Sequence, residues 1–449
     1  MRTRNALLAL LPLTLLAADP PPAVFQNIRC DDDAPTRAAS LFHTDLGGTD
    51  ASELTLGGQL RVRGESWDNF AFGEANDDAF WLTRVRLHTD LRISTGFRVY
   101  VEGISALAHD RDLPPAGGKR PIDEDNLDLL NAFGDFSFDL RGARHTLRLG
   151  RQELSFGKQR LVSPLDWVNT RRTFEGARLI SIAGDWRVDT FATRLVNHDR
   201  HSFNDGDSGQ DLYGVYAAGK REHGGLDFYG LGLQKDAAKY ASSSNALEED
   251  RFTVGARYYG TCPQTPWDYD LEAAYQFGDF GDGDLGAYMF AAELGFKIPD
   301  CPAKSRAFIG LDYASGDDDL GDGDLATFGQ LYPLGHAYFG GIDTVGRQNI
   351  VDLSLGMKAT PVAKLDTKLE VHAFQKAEKQ DALYDAGGSA VTAGAGQDTD
   401  VGQEIDFTAD YALDRHTKLS AGYSHFFAGD AITTGEDINF VYAQSQFTF

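Results

Sequence analysis

Arginine recurs at alternate positions in several segments of the first half of the chain. Arg61 and Arg63 form one such pair, and Arg84, Arg86 and Arg92 share a second segment. A planar guanidinium group can hold a carboxylate through two parallel hydrogen bonds, so a row of arginines can pass a carboxylated ligand from one side chain to the next. This pattern predicts recognition of anions.

Alternation places these arginines on one face of a β-strand, because successive side chains of a strand point to opposite faces. In segment 53–67 leucine and valine occupy the other face, and segment 79–94 repeats the pattern with Val85 and Leu87. An arginine facing lipid at mid-bilayer costs about 2–4 kcal/mol, whereas a water-filled lumen accommodates it. The pattern therefore predicts strands with an apolar lipid face and a charged lumen face.

Eighteen such segments are predicted along the chain. They are residues 53–67, 79–94, 96–106, 128–139, 144–154, 173–183, 186–196, 211–219, 225–235, 250–260, 267–278, 285–298, 305–315, 348–359, 363–376, 401–412, 417–427 and 437–449. Short connections alternate with long ones, which is typical of the periplasmic turns and outer loops of outer-membrane barrels. We therefore predict an all-β transmembrane antiparallel barrel over 53–449, surrounded by lipid in a Gram-negative outer membrane.

The N-terminus predicts secretion. Residues 1–17 combine Arg2 and Arg4 with an apolar stretch and small residues for cleavage, which is typical of a signal peptide and too short to span a bilayer. Residues 18–52 are acidic and contain several prolines. We interpret them as a mobile periplasmic segment, with a segment tucked into the barrel as the alternative. The formal net charge of −25 argues against a nucleic-acid partner.

Two stretches resemble the alginate-export family of outer-membrane proteins. Residues 147–179, LRLGRQELSFGKQRLVSPLDWVNTRRTFEGARL, resemble that family's first signature, and residues 328–356, FGQLYPLGHAYFGGIDTVGRQNIVDLSLG, resemble its second. The likeness extends over most of 53–449. It implies an eighteen-stranded, monomeric barrel that passes an anionic polysaccharide or related sugars.

Alternation also assigns the predicted lumen residues. On the first seven strands basic residues outnumber acidic ones nine to four, whereas from residue 250 onward nine basic residues face eleven acidic ones. We therefore predict an arginine-rich wall opposite a balanced to acidic wall. The predicted substrate path comprises Arg61, Arg63, Arg84, Arg86, Arg92, Arg98, Arg148, Arg178 and Arg194, together with the acidic residues Glu102 and Asp135.

Cysteine and aspartate positions suggest two further sites. Cys262 and Cys301 fall in neighbouring periplasmic turns, where a disulfide and two separate thiols are the alternatives, and Cys30 has no evident partner. Clustered aspartates in one outer loop are candidate Ca²⁺ ligands, although we favour a solvated acidic loop. These candidates are Asp317, Asp318, Asp319, Asp322 and Asp324.

The sequence contains no recognisable catalytic constellation. Ser424 and His425 are adjacent on a predicted strand, so their side chains point to opposite faces and cannot act as a nucleophile–base pair. We predict a channel, without cofactor or enzymatic activity, for diffusion of an anionic, alginate-like poly- or oligosaccharide. The alternatives are a less selective porin for small anionic nutrients, a barrel enzyme and a purely structural barrel. The loop 316–347 is the candidate constriction, with surface display as the alternative.

Overall fold

The computed structural model of the protein describes residues 40, 42–46, 52–113, 120–206, 209–391 and 398–449. The predicted signal peptide and Cys30 lie outside these residues. No helix in the described part of the chain is long and apolar enough to cross a bilayer. The strands are β1 Phe42–Asp45, β2 Glu53–Asp68, β3 Asp78–Ser94, β4 Phe97–His109, β5 Asp125–Leu140, β6 Ala143–Gln152, β7 Phe174–Ala183, β8 Trp186–Leu195, β9 Gln210–Arg221, β10 Gly224–Ala238, β11 Leu247–Thr261, β12 Trp267–Phe280, β13 Gly283–Lys297, β14 Arg306–Ala314, β15 Ile350–Val362, β16 Leu365–Gln375, β17 Asp400–Ala412, β18 Thr417–Ala428 and β19 Ile438–Thr448.

Strands β2 to β19 form a closed antiparallel barrel. Each strand pairs with the next along the chain, and β19 returns to β2 with Asn439 opposite Asp68 and Thr448 opposite Gln59. Closure leaves no unpaired strand edge in the membrane, where an unsatisfied backbone group would be costly. The prediction of eighteen strands is confirmed, and every predicted strand end lies within three residues of the observed one.

A short strand outside the barrel was not predicted. β1 pairs antiparallel with β2, with Phe42 opposite Leu56. The C-terminal residue Phe449 exchanges backbone hydrogen bonds of 2.9 and 2.7 Å with Gly58, so β19 leaves the first residues of β2 uncovered. β1 supplies backbone partners there. The interpretation of the whole of 18–52 as a mobile segment is therefore wrong for Phe42–Asp45.

The two faces of the barrel differ as the alternation predicts. Large apolar side chains point outward and are exposed, among them Leu353 at 52% and Phe407 at 47%. Aromatic pairs occur on the outward face near both ends of the strands, as with Tyr258 and Tyr269 at one end, whose ring centroids are 5.1 Å apart. Such aromatic bands suit the two membrane interfaces. The inward face carries charged side chains, which places the candidate site in the lumen.

Two long loops fold into the barrel. We call residues 153–173, between β6 and β7, the first inward loop, and residues 315–349, between β14 and β15, the second inward loop. They meet in a parallel β-bridge between Val162 and Tyr332. Gly157 makes a turn in the first inward loop at φ +55°, where an added Cβ would lie 2.3 Å from the Tyr216 hydroxyl oxygen. Only glycine therefore fits this approach to the wall.

The two described cysteines are separate thiols. Cys262 and Cys301 are both free, and the Cys301 thiol donates to the Ser305 hydroxyl at 3.4 Å. Each cysteine belongs to a turn that closes through its own backbone hydrogen bonds, of 2.9 Å between Cys262 N and Trp267 O and between Lys304 N and Cys301 O. The predicted disulfide is thus absent from this structure, and the alternative of two thiols applies.

The assignment of faces predicts the cost of a charge on each side of β17. We expect Phe407→Arg, on the lipid face, to lower the free energy of unfolding by about 2–4 kcal/mol. The matched variant Thr408→Arg places the same charge in the lumen beside His336 and should cost much less. Denaturant titration of the refolded protein in lipid vesicles measures both. Equal losses in the two variants would contradict the assignment.

Candidate functional site: the lumen constriction

The first inward loop is attached to the wall by arginines of β2 and β3. Arg61 donates from Nη1 to the Asp166 carbonyl oxygen at 2.9 Å, and Arg63 donates to the Trp167 carbonyl oxygen at 2.7 Å. Arg84 forms an ion pair with the Asp166 carboxylate at 2.8 Å. A loop inside a barrel has no sheet partner for its carbonyl groups, and the guanidinium groups supply the missing donors. Three predicted anion-binding residues are therefore loop anchors.

Asn169 is a further attachment of this loop. Its side chain is fully buried, and its amide nitrogen lies 3.2 Å from the Thr83 carbonyl oxygen and 3.1 Å from that of Leu107. A third carbonyl oxygen, of Asp123, is 2.9 Å away in the preceding outer loop. One amide group therefore joins the first inward loop to β3, β4 and an outer loop.

The other predicted lumen arginines, except Arg194, form ion pairs along the wall. The two predicted acids of the path are their partners: Glu102 accepts from Arg86, and Asp135 from both Arg98 and Arg148. The pairs and their N–O distances are Arg86–Glu102 2.9 Å, Arg92–Asp90 3.3 Å, Arg98–Asp90 2.7 Å, Arg98–Asp135 3.4 Å, Arg148–Asp135 2.8 Å and Arg178–Asp189 2.8 Å. The arginine-rich wall is thus largely neutralised.

Arg194 lies on the wrong face for the predicted path. Phe191 and Thr193 are the buried, lumen-facing residues of β8, so Arg194 points outward, where its side chain is 58% exposed and pairs with Asp211 at 2.9 Å. The prediction fails because polar residues occupy both faces of β8 near its outer end. Asp189, which was not predicted, occupies the lumen face instead.

The second inward loop is attached to other parts of the wall, by side chains of β17 and β12. The backbone N–H of Gly341 donates to the Asp406 carboxylate at 3.1 Å, and that of Ile342 donates to Glu404 at 2.9 Å. The Gln276 amide both donates to and accepts from the backbone of Gly329, each at 2.8 Å. The predicted constriction loop therefore does lie in the lumen, held by acidic residues of the predicted balanced to acidic wall.

The two inward loops also bind each other. Tyr332 N donates to the Leu161 carbonyl oxygen at 2.8 Å. The rings of Trp167 and His336 stack at 3.6 Å, and the Arg63 guanidinium lies 4.2 Å from the Trp167 ring on the wall side. The first inward loop was not predicted to be inside the barrel. Its apolar residues Leu161 and Val162, both buried, were an available signal.

Above this contact lies a cavity of about 900 Å³ towards the outer loops. We call it the outer cavity; Arg172, Lys235, Tyr240 and Tyr332 line it. Arg172 donates to the Pro333 carbonyl oxygen at 3.3 Å and lies 5.2 Å from the centre of the Tyr332 ring.

Among the described residues the two basic side chains of the outer cavity form no ion pair, although Glu249 lies directly opposite Lys235 on β11. Within the described ranges neither Arg172 nor Lys235 has a carboxylate within ion-pair distance. Burial lowers the pKa of Arg172 to about 10, so this side chain remains protonated at neutral pH. The outer cavity therefore presents cations to a solute in the lumen.

The candidate Ca²⁺ ligands are dispersed. Asp317 is 2% exposed and its backbone N–H donates to the Asp381 carboxylate at 3.1 Å, whereas the other four candidates are exposed. Within the described residues no group of three or more His, Cys, Asp or Glu side chains is arranged to hold a metal ion. The exposed aspartates form a solvated acidic loop.

Comparison with known proteins identifies the family. The family model described as alginate export matches residues 52–445. The chain belongs to the alginate export family. No curated protein matches the chain. The match and the closed barrel with its lipid-facing surface make the protein a channel of the Gram-negative outer membrane.

Solved structures share this fold at low identity. OccD3 of Pseudomonas aeruginosa is 13% identical with a TM-score of 0.59, over 88% of this chain and 91% of that one. OccK2 of the same organism is 13% identical with a TM-score of 0.59, over 88% and 97%. OccAB2 of Acinetobacter baumannii is 13% identical with a TM-score of 0.58, over 88% and 98%. This alginate export family barrel is similar to them in fold alone.

The buried contacts of Asn169 predict that it keeps the first inward loop in place and so sets the width of the lumen. Asn169→Ala leaves three backbone carbonyl groups without that donor, at a cost of about 1–3 kcal/mol for each buried acceptor left unpaired. We expect larger single-channel conductance and more current noise, because the first inward loop is released. The exposed Asn126→Ala is the matched control. Unchanged conductance in Asn169→Ala would contradict the anchoring role.

The buried carboxyl group of Asp317 leads us to expect that the stability of the folded second inward loop depends on pH. Burial, with Asp381, Asp322 and Asp318 nearby, raises the pKa of Asp317 to about 6. The folded loop therefore favours the protonated form, and the cost of the buried charge disappears as the pH falls through 6.

We expect less gating noise at pH 5 than at pH 7.5, with the difference lost in Asp317→Asn. The exposed Asp282→Asn, in the outer turn between β12 and β13, is the control and should keep the difference. Lys376, which donates to the Asp381 carbonyl oxygen at 3.4 Å, is the nearby cation. Noise that is independent of pH in the unaltered protein would contradict the prediction.

Proposed function

We propose that the protein is a diffusion channel for anionic oligo- or polysaccharides of the alginate type. The observation that carries this proposal is the outer cavity, where Arg172 and Lys235 face about 900 Å³ of lumen without a carboxylate partner in the described chain. A guanidinium group binds a sugar carboxylate in a bidentate manner. Membership of the alginate export family supports the same class of substrate.

Transport of this kind needs no chemistry, and we infer that the protein is not an enzyme and uses no cofactor. Ser424 donates to Asp406 on the lumen side, whereas His425 contacts Asn439 at 2.9 Å on the other face of β18. A nucleophile–base pair is thus not formed by these two residues. Apolar side chains point outward on most strands, which suits a barrel surrounded by lipid, so we propose a monomer.

A second candidate function is a less selective porin for small anionic nutrients. The observation that favours it is the pairing of the lumen arginines, for example Arg148 with Asp135 at 2.8 Å, which leaves few cations for a long anionic chain. The two inward loops also narrow the path. The length of the saccharide that binds distinguishes the two functions: a porin for small solutes should bind a monouronate as well as an oligouronate.

Arg172 provides the test. In planar bilayers we expect oligouronates to block the current of the unaltered channel, and Arg172→Gln to weaken the block about tenfold or more, since a hydrogen bond to a charged group contributes about 1.5–3 kcal/mol. Arg194→Gln, which removes the same charge from the outward face, is the matched control. Equal block by neutral oligosaccharides would contradict the proposal, and equal block by monouronate would favour the porin.

A further inference from the structure

Four basic residues lie side by side at the periplasmic end of the lumen. Lys297 of β13 is directly opposite Arg306 of β14, Arg306 is opposite Lys358 of β15, and Lys358 is opposite Lys368 of β16. All four share the face of the buried lumen residues on their strands, such as Phe308. We call these four residues the basic row. It lies on the wall that the sequence predicted to be balanced to acidic.

Like charges directly opposite each other on neighbouring strands are destabilising. Two members of the basic row are compensated: Arg306 pairs with Asp268 and, at 2.6 Å, with Glu293, and Lys368 pairs with Glu370. In the described chain neither Lys297 nor Lys358 has a carboxylate within ion-pair distance. Lys297 and Lys358 are therefore the members of the basic row whose charges are available to an anionic ligand.

The middle of the basic row faces open space. A cavity of about 440 Å³ lies in front of Arg306 and Lys358, below the inward loops, and Lys158 at the turn of the first inward loop also lines it. Three carboxylates line it as well, Asp268, Asp270 and Glu293, and each is already paired with a basic side chain other than Lys358. The Tyr259 ring borders the same cavity. A solute that enters from the periplasmic side therefore meets this cavity before it reaches the constriction and the outer cavity.

We propose that the basic row is a second saccharide-binding site, specific for oligosaccharides with several carboxylates. Neighbouring strands are about 4.8 Å apart, so the four charges span about 14 Å. A chain with repeating negative charges can contact several of them at once, whereas a monomer contacts only one or two. This inference rests on the proposed function, because it assumes that an anionic saccharide enters the lumen.

The test compares block from the two sides of a single oriented channel. An epitope inserted after Phe203, whose side chain is 68% exposed in an outer loop, assigns the orientation. The variant is Lys297→Gln with Lys358→Gln. The control is Lys304→Gln with Lys364→Gln, which removes two charges from exposed periplasmic turns outside the row. Tetrauronate and monouronate are added to each side at low salt, and unaltered heat-modifiability on gels verifies folding of each variant.

We expect the rate of block by tetrauronate from the periplasmic side to fall about tenfold in the row variant, as for loss of electrostatic steering. Block from the outer side, block by monouronate and the control should change little. An unchanged periplasmic rate in the row variant, with block still present, would overturn the second site alone. Absence of block by tetrauronate from both sides of the unaltered channel would overturn both the second site and the proposed function.

Discussion

The structure depends on one constraint: a chain that crosses the interior of a barrel has backbone groups with no sheet partner. The wall satisfies them with donor side chains on some strands and acceptor side chains on others. Guanidinium groups of β2 and β3 donate hydrogen bonds to carbonyl oxygens of the first inward loop, as Arg61 does to the Asp166 carbonyl oxygen at 2.9 Å. Carboxylates of β17 accept hydrogen bonds from backbone N–H groups of the second inward loop, as Glu404 does from Ile342 at 2.9 Å. Much of the charge on the lumen wall is therefore structural.

This division explains how a chain with a formal net charge of −25 can still present cations to a solute. Most lumen arginines are matched by a carboxylate or a loop carbonyl, and their charge is not available. In the described chain, basic side chains without an ion-pair partner include Arg172 and Lys235 in the outer cavity, and Lys297 and Lys358 in the basic row. The net charge of the chain, or of half of the lumen wall, therefore does not predict the charge of the solute that the channel binds.

The barrel could be predicted from the sequence because lipid enforces alternation on every strand. A one-residue slip would turn an arginine into the membrane, so the strand faces are unambiguous over most of their length. Outside the lipid-facing part of the barrel this constraint is absent, and there the sequence-based predictions failed. Near the outer rim polar residues are tolerated on both faces, and Arg194 was assigned to the wrong one. β1 is four residues long and carries no clear pattern. The loop anchors join positions about a hundred residues apart, as with Arg61 and Asp166, and no local signal reports such a pairing.

The bridge between Val162 and Tyr332 makes the two inward loops one mechanical body. The loops are attached to different strands of the wall, and they are joined to each other by backbone hydrogen bonds and by the stacked rings of Trp167 and His336. While these contacts hold, neither inward loop can move aside without the other. The two inward loops therefore move as one body, and a solute that passes through the lumen has to bend around it.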